Sequence, residues 1–397
     1  MHIGLFLSSL SGGGAQRRIL NLARGFSERD HRVDVIVGDA DGPFRSRVPA
    51  AARIVCLGSR CSRLPLLRDR RGLWVPAMMP SLARYLMDRR PGVVLSTSTP
   101  ANLTVLAARA VVGSETPVVV SVNVHLSAST DRRCKPYGPI VRWLAARAYR
   151  RADAIVAISE GLATDLAATT GIARDRIAVI DNPVDIPDIR RAAAVAIDHP
   201  WLRPGEPPVL LAVGKLKAQK DIPTLLRAFA RIVDRRPARL VVLGEGEECG
   251  RLKALADRLK IAHAVAMPGF VANPHAWMAR ASVFVLSSAW EGLSNALLEA
   301  LACGCPVVST DCPSGPRHVL ADGTYGRLVP VGDDAAMAAA ILSVLDDPPA
   351  SDRQRRRAAA FSFDRAVRRY LEVLGAVERR RGIPLAVPAA VCEESER

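Results

Sequence analysis

The sequence predicts an α/β chain of two Rossmann-like domains. Three observations carry this reading. The chain has 397 residues, and at about 150 residues per domain that length asks for two. In the first half, short and nearly continuous apolar runs alternate with helical patterns, as expected of a parallel sheet covered on both faces. A proline-rich break then interrupts the alternation, and the same pattern restarts beyond it.

In chain order, strands are expected at 3–8, 33–37, 53–57, 93–96, 118–122, 154–158 and 177–180. The first helix is expected from Ala15 to Glu28, where Ile19, Leu20, Leu22, Ala23 and Phe26 supply an apolar face. From Asn182 to Pro208 the chain carries Pro183, Pro187, Pro200, Pro204, Pro207 and Pro208. Proline cannot donate to a ladder, so residues 186–208 are expected to form a linker between domains 1–185 and 209–360. Further strands are expected at 209–213, 239–243, 282–286, 306–309 and 326–330. The stretch from Ser351 to Arg381 reads as a very basic helix with Tyr370, Leu371 and Leu374 on one face, and 361–397 as a terminal helix plus tail.

Hydrophobic residues make up 49% and charged residues 24%, a globular balance that excludes a disordered chain. No apolar run approaches the roughly 18–20 residues of a membrane span. Met1 to Leu7 enters a strand without a basic leader, so the expected location is cytoplasmic. The net charge is +16, and residues 1–200 hold most of the excess, with Lys135 their only lysine. Such an excess points to an anionic partner: nucleic acid, acidic lipid or phosphorylated substrate. Aromatic residues are only 5%, and neither a recognition helix nor an RNP-like run is present, so no nucleic-acid partner is expected. The eight cysteines form no CxxC pair and have no histidine at zinc-finger spacing, so no metal site is expected.

Four motifs stand at strand ends, where α/β sheets bind ligands. Gly12, Gly13 and Gly14 follow the first strand and open a helix, letting an anion approach the backbone. Arg17 stands where a dinucleotide fingerprint would need its third glycine. Gly214 ends another strand, and Lys215 and Lys220 follow it as two cations suited to a diphosphate. Glu291-Gly292-Leu293-Ser294-Asn295 leads into a helix carrying Glu299. There the amides of 292–295 suit phosphate, and the two carboxylates suit sugar and ribose hydroxyls. Asp311 to Pro316 lines the same region. Taken singly, each motif also fits plain structure: a tight turn, a solvated basic loop, or a helix with an acidic first turn.

Together, in this order, they resemble retaining glycosyltransferases of family 4. The spacing from Glu291 to Glu299, with Ala300 to Val308 after it, resembles that family's E-x7-E segment. Gly214 to Lys220 resembles its G-R-L-x-x-x-K loop, and Gly12 to Ala15 its GGA loop. Ile158-Ser159-Glu160, Asn182 to Asp185 and Tyr325 to Pro330 fit as well, so the likeness runs from about residue 3 to 375. It implies a GT-B fold: two Rossmann-like domains facing each other across a cleft that holds the active site, with a C-terminal helix returning to the N-terminal domain. The N-terminal domain would take the acceptor and the C-terminal domain the nucleotide-sugar donor. Catalytic roles would fall to Glu291, Lys220, Lys215 and His125. Donor binding would fall to Gly214, Gly292, Leu293, Ser294, Asn295 and Glu299, with Phe270 and Val271 near the base. Gly12, Gly13, Gly14 and Asn123 would serve the acceptor and phosphate loops. The resemblance implies no metal and no cofactor beyond the nucleotide-sugar, with a UDP-sugar favoured.

Two departures from the family pattern stand out. Lys215 replaces an arginine, losing its bidentate fork. In Ser121-Val122-Asn123-Val124-His125, Asn123 occupies the position of a histidine that reaches the donor sugar in related sequences, and His125 lies two residues on, on the same face of a strand. Asp39-Ala40-Asp41 is a DxD, here read as a solvated turn rather than a metal site. Arginines 60, 63, 68, 70 and 71, interleaved with leucines and Trp74, suit an anionic membrane surface. The expected function is therefore retaining transfer of a sugar to a glycan or lipid-linked acceptor in surface polysaccharide or lipopolysaccharide synthesis, at the inner face of the membrane. The alternative is a non-catalytic nucleotide-sugar-binding or partner-binding subunit of the same fold.

Overall fold

The computed structural model describes residues 1–11, 14–58, 75–130 and 137–380. The chain divides into two compact units, one of Met1–Pro183 with Asp364–Arg397, the other of Val184–Phe363. The first runs β1 (His2–Ser9), α1 (Gly14–Ser27), β2 (Arg32–Asp39), β3 (Arg53–Cys56), α2 (Met79–Arg89), β4 (Val93–Thr97), α3 (Thr99–Val111), β5 (Val118–Val122), α4 (Leu126–Ser129), α5 (Gly138–Tyr149), β6 (Ala154–Ala157), α6 (Glu160–Thr170) and β7 (Ile177–Val179). The second runs α7 (Ile186–Ala194), β8 (Val209–Val213), α8 (Ile222–Val233), β9 (Arg239–Leu243), α9 (Cys249–Arg258), β10 (Val265–Gly269), α10 (Pro274–Met278), β11 (Val283–Leu286), α11 (Asn295–Cys303), β12 (Val307–Thr310), α12 (Pro316–Val319), β13 (Arg327–Val329), α13 (Asp334–Asp346) and α14 (Ser351–Ala359). The last helix, α15 (Phe363–Arg380), belongs to the first unit from Asp364 onward.

Each unit holds one parallel sheet, ordered β3-β2-β1-β4-β5-β6-β7 in the first and β10-β9-β8-β11-β12-β13 in the second. The central strands β4 and β5 are buried along their whole length, which is why each opens on an apolar run, Val93–Leu95 and Val118–Val120. Helices cover the sheets through stripes at helical spacing. In α8, Ile222, Leu225, Leu226, Phe229 and Ile232 face the core with Leu210, Leu240 and Val285. Phe229 is fully buried, and truncating such a phenylalanine to alanine costs about 3–5 kcal/mol. Among the described residues, no helix is long and apolar enough to cross a membrane.

Three features differ from the sequence expectation. The stretch expected as a linker is not a free connector: it lies in the second unit, and its first part is α7. Pro187 sits in the first turn, where a missing N–H breaks no bond, and the Asp185 carboxylate accepts from the Asp188 N–H at 3.1 Å. Strand β10 was not expected, because it is half-buried, irregular in register and contains Pro268. An edge position, with one side unpaired, tolerates all three. Finally, the basic C-terminal segment is two helices. Between them Ser362 bridges to Val184, with Val184 N–H donating to Phe361 O at 3.0 Å and Phe363 N–H to Val184 O at 3.1 Å.

In the first unit α15 buries Val367, Tyr370, Leu374 and Val377 on one stripe, while Leu371 is only half-buried. Its anchor is polar. The Arg18 guanidinium, almost wholly buried, donates to Tyr370 Oη (2.8 Å), Thr97 Oγ1 (2.9 Å), Ser121 Oγ (3.0 Å) and Asn123 Oδ1 (2.5 Å). Burial pulls its pKa below the usual arginine value. Tyr370→Phe removes one acceptor from this buried cation and should cost about 1.5–3 kcal/mol, read as a lower midpoint in urea unfolding.

Candidate active site

The second unit brings two of the motifs together at the carboxyl ends of the paired strands β8 and β11. Lys220 Nζ donates to Glu291 Oε1 at 2.5 Å, and Ser288 Oγ donates to the same oxygen at 2.7 Å. The Glu291 side chain is 8% exposed and that of Lys220 18%. The two loops are laced by Ser287 Oγ to Lys220 O (2.7 Å), Ala289 N to Gln219 O (2.9 Å) and Gln219 Nε2 to Trp290 O (2.9 Å). A Cβ at Gly214 would come within 2.9 Å of Lys220 Cε, so the lysine stem would have to shift. Lys215, by contrast, is exposed.

Helix α11 starts at Asn295, with Ser294 as N-cap accepting from Leu297 N–H at 3.4 Å. The amides of Gly292 and Leu293 therefore belong to the loop before the helix rather than to its first turn. Glu299 lies in the second turn and is buried. Cys312, from the loop after β12, is buried, and its thiol is pushed up to about 12, chiefly by burial and then by the Glu291 charge. Phe270 and Val271 follow β10. Phe270 is 63% exposed, and its N–H donates to Glu245 Oε1 at 3.3 Å.

The remaining candidates lie in the first unit. Gly12 and Gly13 fall outside the described residues, as does the segment from Arg60 to Trp74, while Gly14 opens α1. Asn123 is turned into the Arg18 network, its amide donating to Thr97 and its oxygen accepting from Arg18. His125 is buried at the start of α4, with Nδ1 3.6 Å from Asp165 Oδ1. Asp165 Oδ2 also accepts from the N–H groups of Leu126 (2.7 Å) and Ser127 (3.3 Å). Burial acts to raise the Asp165 pKa, but hydrogen bonds from His125 and Ser127 outweigh it and hold it at about 2. In the DxD segment, the Asp39 carboxylate accepts from the Asp41 N–H at 3.0 Å, which closes a local turn.

Sequence reading missed Ser288, Arg18, Thr97 and Asp165. Ser288 had one legible signal, its place three residues before Glu291 in the same strand-end loop. The others meet their partners only through the fold.

Residues 12–187 match the family described as Glycosyltransferase Family 4, and residues 196–361 match Glycosyl transferases group 1. Together the two glycosyltransferase family models match most of the chain, which is a glycosyltransferase of the family-4 type. This glycosyltransferase is 28% identical over 379 residues to the N-acetylgalactosamine-N,N'-diacetylbacillosaminyl-diphospho-undecaprenol 4-alpha-N-acetylgalactosaminyltransferase of Campylobacter jejuni, covering 94% of this chain and 99% of that one. It is 32% identical over 232 residues to the lipopolysaccharide core biosynthesis glycosyltransferase LpsE of Rhizobium meliloti, covering 57% and 65%. Similar solved structures include the apo form of the lipopolysaccharide outer core galactosyltransferase WaaB (TM-score 0.69, 22% identity, covering 95% of this chain and 99% of that one). HepE of Anabaena in complex with UDP is another (TM-score 0.73, 18% identity, covering 95% and 100%). At such identity they carry the fold, and that fold is GT-B. The alignments with transferases support the catalytic reading and not the non-catalytic alternative.

The Asp165 carboxyl, at about 2 in the folded state, titrates near 3.9 in an unfolded chain. Its stabilising contribution is therefore whole above about pH 4 and lost as the pH falls through about 2. Asp165→Asn should lower the urea midpoint at neutral pH, and the gap to the parent should close across that acid window.

Proposed function

We propose that this glycosyltransferase moves a sugar from a nucleotide-sugar, a UDP-sugar first, to a hydroxyl of a glycan or lipid-linked acceptor, retaining the anomeric configuration and using no metal. The observation that carries the proposal is the contact between Lys220 and Glu291, set beside the start of α11. Lys220 and the 292–295 backbone would take the diphosphate, with Lys215 nearby in the same loop. Glu291 would accept from hydroxyls of the donor sugar, Glu299 from the ribose, and Phe270 and Val271 would border the base. The bond from the anomeric carbon to the diphosphate breaks as the acceptor oxygen bonds the same face, and the acceptor proton passes to the leaving phosphate oxygen. A fixed cation and oriented amides supply the charge stabilisation such a departure needs. His125 is assigned to the donor sugar over Asn123, whose amide is engaged by Arg18 and Thr97. The names of the relatives, which concern lipopolysaccharide and diphospho-undecaprenol-linked sugars, support an acceptor of that class.

The test is release of nucleoside diphosphate from UDP-, GDP- and ADP-sugars. Activity should survive EDTA, and the product should keep the donor's anomeric configuration by NMR. Glu291→Ala and Lys220→Ala should each lose about 100-fold or more in kcat/KM. Full turnover in both variants would remove them from the site.

The proposal extends to peripheral contact with an anionic membrane. Its support is α5, which exposes Ile140 and Trp143 (63% each) and Leu144, next to exposed Tyr137 and beside Arg147, Arg150 and Arg151. An apolar face holding a tryptophan and edged by arginines suits the headgroup boundary of acidic lipid. The protein should sediment with phosphatidylglycerol vesicles and much less with phosphatidylcholine vesicles, and Ile140→Ser with Trp143→Ser should weaken that binding. Equal behaviour with both lipids would reject the contact.

A further inference from the structure

Glu299 has a neighbour that neither the motif nor the family pattern brought forward. His275, from α10, places Nε2 3.2 Å from Glu299 Oε2, and the two side chains are only 11% and 10% exposed. The distance suits an ion pair, yet the approach is out of line for a hydrogen bond, and Nε2 is a buried nitrogen with no hydrogen-bond partner. Buried polar atoms in that state are few, and each calls for a reason. The ring is not adrift. Asn273 Nδ2, just before α10, donates to Ala192 O at 2.8 Å, and Cys303 Sγ, from α11, donates to His275 O at 3.6 Å. Trp277 packs edge-on against His199 with centroids 5.0 Å apart. The short helix is thus tied to α7 on one side and to α11, which carries Glu299, on the other.

We propose that His275 is a positioning residue for the Glu299 carboxylate, and that it sets how well the ribose of the donor nucleotide is held. This rests on the reading of Glu299 as the ribose-binding residue. A carboxylate offers about four lone-pair directions. Two vicinal ribose hydroxyls engage the outer ones, and an N–H behind Oε2 takes one of those left over. When the hydroxyls draw the carboxylate round, the His275 N–H comes into line and donates to Oε2. The result is ground-state affinity for the nucleotide rather than acceleration of the chemical step.

The test uses the tightest binder among UDP, GDP and ADP together with its 2′-deoxy form, measured by isothermal titration. In the parent the ribonucleotide should bind more tightly than the deoxy form. His275→Phe, which keeps the bulk, should weaken the ribonucleotide by about 10- to 100-fold, the worth of a hydrogen bond to a charged group, and barely affect the deoxy form. His275→Gln, which keeps an N–H donor, should restore much of the loss. Paired with Glu299→Ala, His275→Phe should add little, since both act on one contact. In turnover, the donor KM should rise with kcat near the parent value. Equal weakening of both nucleotides by His275→Phe, or additive losses in the double variant, would overturn the His275 role alone. If Glu299→Ala leaves the preference for the ribose form intact, the ribose reading of Glu299 falls and this proposal falls with it.

Discussion

The Lys220–Glu291 contact is the constraint around which the strand ends of the second unit are arranged. Two charges in a nearly dry setting lose much of their hydration, and their attraction offsets that loss only when the geometry is good and the remaining lone pairs are met. Here the distance is short and Ser288 adds a second donor to the same oxygen. The loops must therefore be held in fixed register, and the bonds through Ser287, Ala289 and Gln219 hold them. A side chain at 214 would push the Lys220 stem aside, away from its place beside Glu291. Under the proposed function, the same closeness would let a cation and a carboxylate side by side meet a diphosphate and a sugar hydroxyl at once.

The first unit has its own constraint, the buried Arg18. The four hydrogen bonds described above go to neutral oxygens, from α15, β4, β5 and the residue just past β5. One guanidinium thus joins the end of the chain to the middle of a sheet formed by its beginning. It also decides a local question. On a strand Asn123 and His125 would share a face, but β5 ends at Val122 and His125 stands at the N-cap of α4, so their spacing sets no common face. The network captures Asn123, whereas His125 rests against Asp165. Asp165 in turn caps the start of α4 and faces the ring, so one carboxylate orients both the backbone and the imidazole.

The alternation of strands and helices was legible because strands buried on both faces leave little room for polar residues. Where burial is partial the signal fades. Strand β10, at an edge and holding Pro268, shows no such run. The proline-rich stretch misled for a related reason: proline breaks an established helix but starts one well, and Pro187 stands at a start. Of the candidate site, the glycines, Lys220, Glu291 and Glu299 were legible because their spacing repeats a pattern tied to strand ends.

The order of elements, the doubled α/β pattern and the strand-end motifs were determined by the sequence itself, because periodicity and turn chemistry act over a few residues. The partners of those motifs were decided only by the tertiary structure. Ser288 on Glu291, His275 on Glu299, Asp165 beside His125 and Tyr370 on Arg18 answer to no local periodicity. Three of the four pairs join separate elements of the chain, and in all four the decisive quantity is a distance of a few ångströms that only packing sets.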